Sequence, residues 1–260
     1  MAQQPRYLQI ADDLRDQIDV GKLPPGNQLP TESELRDKYE ASRNTIRDAI
    51  KRLVSEGLVE TRPGQGTFVT MRVVPFVTNL TADPKTGFGG GEGVTYLDAV
   101  SENHRVPFQS DPKVEIQVPP EPVLLRLRLE PGTQVVSRHQ QRFIDDVPWS
   151  LQTSYYPLSF VQKDGATDLL MAQDLKPGTV KYLAGHGHKQ IGYRDWITAR
   201  SPDESEQRFF RISHEATVFE IFRTAFDQDK VPMRVTVTVF PTDRNQFIVN
   251  VGDDLPDPQY

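Results

Sequence analysis

The chain of 260 residues has no cysteine and no excess of positive charge, with 30 Lys and Arg against 36 Asp and Glu for a formal net charge of −6. Without cysteine, disulfides and thiolate metal sites are excluded. No apolar run reaches the roughly 18 residues a membrane-spanning helix needs, and no signal peptide is evident, so the chain reads as soluble and cytoplasmic. The acidic balance excludes a protein that coats nucleic acid indiscriminately. Residues 1–70 carry ten Lys and Arg against eleven Asp and Glu. Any nucleic-acid binding must therefore come from where the basic groups sit, and must weaken steeply with salt. A nucleophile with a placed base, a Gly-rich phosphate loop and a metal-ligand set are also missing, so no catalytic residue, cofactor or metal is expected. His186 and His188 share a side only in a strand, and no carboxylate is patterned beside them. The length suits two ordinary domains, each with its own core.

What is present concentrates between Leu29 and Val69. Thr31 followed three positions later by Glu34 is a capping box that opens a helix, with Leu35 and Tyr39 on its buried side. After a short turn at Glu40-Ala41, Ser42 caps a second helix whose apolar positions Ile46, Ala49, Ile50 and Leu53 follow the helical period. Gly57 suits a left-handed stop. With that stripe turned inward, Asn44, Arg47 and Lys51 occupy the opposite face and Arg43 its shoulder. Arg can bond guanine O6 and N7 together, Asn can read adenine, and any of these side chains can hold a phosphate oxygen instead. Beyond Gly57, Leu58–Thr61 and Thr67–Thr70 are β-prone runs around Arg62-Pro63-Gly64-Gln65-Gly66, the signal of a hairpin wing. Its glycines let backbone approach a phosphate or minor groove closely, and Arg62 adds charge. Upstream, Tyr7, Ile10, Ala11, Leu14 and Ile18 form a further helical stripe that packs behind the pair.

Residues 71–93 shift to prolines, threonines and a glycine cluster and read as a linker with an end-to-end distance of about 25 Å. A binding loop remains the alternative there. Residues 94–251 read as a mixed α/β domain dominated by antiparallel strands, followed by a tail, 252–260. Val123–Leu129, Thr133–Ile144 and Pro148–Pro157 are β-rich runs with a turn at Pro131-Gly132 and a hairpin tip at Asp145-Asp146. Val218–Asp227 and Val231–Pro241 form another hairpin candidate around Gln228-Asp229-Lys230. Ser159–Leu170, Val180–Gly185 and Pro202–Phe210, the last capped by Ser201, read as short helices. The fold class is α+β, a winged helix-turn-helix followed by a sheet with helices on a face.

YLQIADDLRDQI, PPGNQLPTESELRDKY, SRNTIRDAIKRLVSEGLVE and GQGTFV resemble the winged-helix domain of the GntR family of bacterial transcription regulators, in its order and spacing. The resemblance implies DNA contacts from Ser42, Arg43, Asn44, Thr45, Arg47 and Gly66. Ser33 stands where the family often has Arg, so that contact is missing or supplied by Arg36. The second half, in TSYYP, TARSPDESE and PTDRNQF, resembles the ligand-sensing (UTRA) domain of the HutC-like branch, which shares its fold with chorismate lyase. That likeness implies dimer contacts and a small effector, in relatives often an amino-sugar phosphate, an organic acid or an amino-acid derivative. Its pocket positions correspond to Arg138, Gln140, Ser154, Tyr156, Asp195 and Arg200. Gln140 replaces a second Arg, which weakens the case for a phosphate and leaves a neutral or singly anionic effector. Asp195 replaces the more usual Glu.

Each of these residues also has a plain structural reading. Arg43 and Arg47 can be a solvated helix face, Arg138 and Asp195 a buried ion pair, Arg244 a strand tie, and Trp149 and Trp196 core or pocket wall. The expected function is a sequence-specific repressor that binds a two-fold symmetric DNA operator as a homodimer under the control of a small effector, with no membrane partner. Repression is expected because occupancy of a promoter suffices for it. A constitutive repressor whose sensing domain has lost its ligand is the alternative, and a lyase-like enzyme a more distant one.

Overall fold

A computed structural model describes residues 4–70, 75–81 and 94–251, with side chains omitted at 94–96. The chain divides between residues 74 and 75 into two compact units.

The first unit runs α1 (Arg6–Asp19), α2 (Glu32–Tyr39), α3 (Arg43–Ser55), β1 (Val59–Arg62) and β2 (Gly66–Val69). Each boundary has a local cause. The Glu34 amide donates to the Thr31 hydroxyl while the Thr31 amide donates to the Glu34 carboxylate, so the capping box forms as expected. Ser42 Oγ accepts from the Thr45 amide at the start of α3. The chain leaves α3 at Gly57, whose φ of +69° is the left-handed conformation a helix stop requires. Ile46, Ala49, Ile50 and Leu53 pack with Ile10, Ala11 and Leu14 of α1 and with Leu35 of α2. Burying each Leu or Ile contributes roughly 1.5–3 kcal/mol, which is what fixes the angle between these short helices. β1 and β2 pair antiparallel from Val59↔Val69 to Arg62↔Gly66.

The second unit contains β3 (Phe76–Asn79), α4 (Val94–Glu102), β4 (Pro107–Gln109), β5 (Lys113–Gln117), α5 (Glu121–Leu127), β6 (Val135–Ile144), β7 (Val147–Pro157), α6 (Ser159–Gln162), a 3-10 turn (Thr167–Leu170), α7 (Thr179–Gly185), β8 (Gln190–Arg200), α8 (Glu204–Phe210), β9 (Val218–Asp227), β10 (Pro232–Pro241) and β11 (Asn245–Ile248). One sheet has the strand order β4-β6-β7-β10-β9-β8, with β5 also paired to β6. All of these pairings are antiparallel. Asp145 and Asp146, with φ of +51° and +62°, make the tight tip between β6 and β7. One face of the sheet packs Val135, Tyr155 and Val235 under Val123 and Leu127 of α5. The other packs Val136, Tyr156, Ala225 and Met233 under Phe160, Leu169, Leu175, Tyr182 and Leu183.

Four expectations are corrected here. Val123–Leu129 was expected as a strand, but α5 is a helix: prolines fill its start and Val123, Leu124 and Leu127 bury one helical side. α8 is capped by Asp203 rather than Ser201, because Asp203 stands three residues before Glu206 and the two form a capping box. Phe76–Asn79, inside the expected linker, is a strand paired parallel to β11. The rest of that segment, apart from 75, 80 and 81, lies outside the described residues, as does the tail 252–260. Trp149 is core, but Trp196 is 55% exposed on β8, at the sheet edge, and is neither core nor pocket wall.

Candidate functional site

In the first unit α3 buries its apolar stripe, and the same geometry leaves Ser42, Arg43, Asn44, Arg47 and Lys51 exposed, with Thr45 half-buried. Ser42 Oγ lies 2.8 Å from Thr45 Oγ1, so both hydroxyls belong to the helix start. Glu32, the first residue of α2, reaches across to α3 and accepts from Arg43 Nε at 3.0 Å and from Arg47 Nε at 3.0 Å. Those hydrogen bonds, Arg47's first, hold the Glu32 carboxyl below the usual carboxylate range. Arg36 is exposed on α2.

The wing carries two details that pattern reading missed. Arg62 does not project freely: it donates from Nε to Glu60 at 2.8 Å and stacks 4.3 Å above the Phe68 ring. Gln28 donates to the Gln65 carbonyl at 2.8 Å and bridges to Phe68, so the segment before α2 braces the wing. Gly66 has φ of +117°, and a Cβ there would lie 2.3 Å from Gln28 Nε2. The glycine is therefore required by the wing itself, whatever approaches its tip.

The second unit contains a cavity of about 120 Å³ on the α7 side of the sheet. Strand alternation and antiparallel register build its floor. Arg138 of β6 stands opposite Ser154 of β7, Ser154 opposite Thr236 of β10, and Thr236 opposite Arg223 of β9. The neighbouring row is Gln140, Gln152, Thr238 and Ile221. Arg142, Tyr156 and Arg234 complete the floor, and Asp174, Leu175, Gly178 and Thr179 form one side. Four arginines and one aspartate thus line it, and all four arginines are buried.

Of the six residues expected at the pocket, Arg138, Gln140, Ser154 and Tyr156 line the cavity. Arg138 makes no ion pair with Asp195. Its Nη1 donates to the carbonyls of Leu169 and Met171, both at 2.8 Å, and its Nη2 to that of Gln173, tying the turn after the 3-10 segment to the sheet. Burial lowers the pKa of this guanidinium from its ordinary value. Gln140 donates to Asp174 at 2.9 Å. Asp195 and Arg200 lie outside this lining, because β8 is the far edge of the sheet. Asp195 stands behind Arg223 and pairs with it through 2.8 and 2.7 Å bonds. Arg200 is enclosed by Glu206 and Glu220, whose carboxylates push its pKa up.

Arg142, Arg223 and Arg234 were missed. Arg142 was within reach of the sequence, since it repeats the two-residue period of Arg138 and Gln140; the other two needed the pairing of β9 and β10. Gln152 Oε1 is buried in the floor with no hydrogen-bond partner among the described residues. Arg244 ties strands together, donating to the Pro148 carbonyl at 3.0 Å. His186 donates from Nδ1 to the Tyr182 carbonyl and His188 stacks on Phe160 beside Asp164, so the two rings are engaged separately.

Three short helices with α3 presented outward, followed by a two-stranded wing, define a winged helix-turn-helix domain. Residues 6–69 match the model described as bacterial regulatory proteins, gntR family, and residues 113–246 match the UTRA domain. The chain belongs to the GntR family of transcription regulators and carries a UTRA domain. It is 26% identical to the HTH-type transcriptional regulator YurK of Bacillus subtilis (strain 168) over 95% of each chain. It is 30% identical to the mannosyl-D-glycerate transport/metabolism system repressor MngR of Escherichia coli (strain K12) over 61% of each. PhnF from Mycobacterium smegmatis shares the fold, with a TM-score of 0.55 at 20% identity over 94% of this chain and 100% of that one. Among the described residues no helix is long and apolar enough to cross a membrane.

Proposed function

We propose that this regulator is a repressor that binds a two-fold symmetric operator as a homodimer and is controlled by a small anionic effector held in the cavity of the second unit. The observation that carries the DNA half is Arg43 and Arg47 side by side on the exposed face of α3. Arginines in this position on a second helix can reach base edges in the major groove. Asn44, Ser42 and Thr45 flank them, and Gly66 and Arg62 supply the wing. One such domain reads few base pairs, so two related by a two-fold axis are needed for a useful site. The effector half rests on the arginine-lined floor. Four buried guanidiniums against Asp174 and the more distant Asp195 favour an anion over the neutral ligand, the other alternative that Gln140 left open. Gln152 Oε1 supplies an acceptor for a donor on the same ligand.

Arg138 and Gln140 already hold partners within the chain, which favours a second reading, a constitutive repressor whose cavity is empty in use. For an enzyme, the lining offers Asp174 and Tyr156 but no histidine, cysteine or glutamate among the described residues. The test is fluorescence anisotropy on the DNA upstream of the protein's own gene at about 150 mM salt with scrambled competitor. Competitor-resistant binding that Arg47→Ala abolishes, with the oligomeric state unchanged, is the expected result. Unchanged affinity in that variant removes α3 from the DNA reading. Release by an anionic metabolite, with reciprocal weakening of that metabolite by DNA, separates the controlled from the constitutive repressor.

A further inference from the structure

Two like charges one turn apart on a helix repel each other, and exposed arginines sample many rotamers. Arg43 and Arg47 have this arrangement, with side chains 63% and 50% exposed. Yet both are held by one carboxylate. Glu32 Oε2 accepts from Arg43 Nε at 3.0 Å, and Glu32 Oε1 and Oε2 accept from Arg47 Nε at 3.0 and 3.3 Å. In each arginine the hydrogen bonds to Glu32 come from Nε alone, and Nη1 and Nη2 have no hydrogen bond to a described residue. Those two ends are the donors that meet guanine O6 and N7 end-on.

We infer that Glu32 is a positioning residue for base recognition: it fixes both arginines by their Nε edges, so that their Nη pairs point outward together toward DNA. Holding the arginines in advance removes part of the ordering cost of binding. The same carboxylate repels phosphate, so it lowers affinity for DNA in general while raising discrimination between sequences. The low pKa of Glu32 keeps it ionised throughout the neutral range. This inference rests on the DNA-binding reading and is tested separately from it.

The full-length protein is first used to select duplexes from a random pool. The best selected duplex and a scrambled duplex of equal composition are then the two probes. If the wild-type protein does not distinguish them, the DNA-binding reading itself fails. If it does, Glu32→Gln is compared with wild type at several salt concentrations, with thermal melting as a check on folding. The expected result is about a tenfold loss of discrimination, the scale of one bidentate base contact. Binding to the scrambled duplex should be unchanged or tighter, and a repeat selection with the variant should give a relaxed consensus. Three results overturn the inference: unchanged discrimination, an equal loss on both duplexes, or a gain on the selected duplex greater than on the scrambled one. The last would make Glu32 a mask over the arginines rather than a guide. If Glu32→Gln melts early, Glu32→Asp, whose shorter arm keeps the charge but cannot span both arginines, must show the same loss of discrimination.

Discussion

The two units use arginine in opposite ways. On α3 the arginine side chains are 63% and 50% exposed and share one carboxylate, whereas under the sheet Arg138, Arg142, Arg223 and Arg234 are each no more than 6% exposed. Exposed charge pairs are screened by salt and contribute little to stability, typically 0–1 kcal/mol. A buried guanidinium has lost its water and is tolerated only with its partners in place. The first arrangement suits a partner that itself brings many charges and counterions, as a DNA backbone does. The second suits a small ligand shielded from salt.

The comparison breaks most visibly at Asp195. Asp195→Ala leaves Arg223 buried beside Tyr193 without its bidentate partner, and removing one member of a buried pair costs about 3–5 kcal/mol. Calorimetry should show the transition of the second unit falling sharply while that of the first stays in place. A loss below about 1 kcal/mol would mean that water reaches this pair and that the contrast between the units is overstated.

A smaller effect is expected at the wing. Gly66→Ala places a Cβ against Gln28 at a φ of +117°, at a cost of about 1–2 kcal/mol. Amide exchange should quicken in β1 and β2, and the Gln28→Ala, Gly66→Ala double variant should recover the part due to the clash. No recovery would assign the whole cost to backbone strain.

The smallest effect concerns Tyr39. Burial, and then its hydrogen bond to Asp13, push its phenol up to about 12 from an ordinary value of 10.0. Because the folded value is raised, the associated stability is present below about pH 10 and is lost as pH rises from there through about 12. The first unit should therefore weaken in alkali over that range, and Tyr39→Phe should flatten the dependence. An identical alkaline profile in the variant would place the sensitivity elsewhere.

The first unit was largely legible before folding. Its helices are short, α2 and α3 each open on a cap whose partner lies three residues away, and the wing is closed by the three residues 63–65; every one of these signals is local. The second unit was legible only in part. Its two hairpins turn at Asp145-Asp146 and Gln228–Lys230 and were readable for the same reason. α5 was misread because VLLRLRL fits a strand as well as a buried helical side, and only the sheet beneath it selects the helix. At the cavity, the β6 and β7 residues were found, while Arg223 and Arg234 were not, since nothing in the chain says which strands lie side by side.

By itself, then, the sequence determined the winged helix-turn-helix, the outward face of α3 and the family to which both halves belong, because caps, turns and helical periodicity act over three to five residues. Tertiary structure alone decided that Glu32 bridges Arg43 and Arg47, that Arg62 folds onto Phe68, and that Asp195 pairs with Arg223 at the end of the floor row, outside the cavity lining. Those contacts join residues 6 to 28 positions apart. Whether two such side chains meet depends on strand register and helix packing, which the burial of the whole core sets and no local pattern encodes.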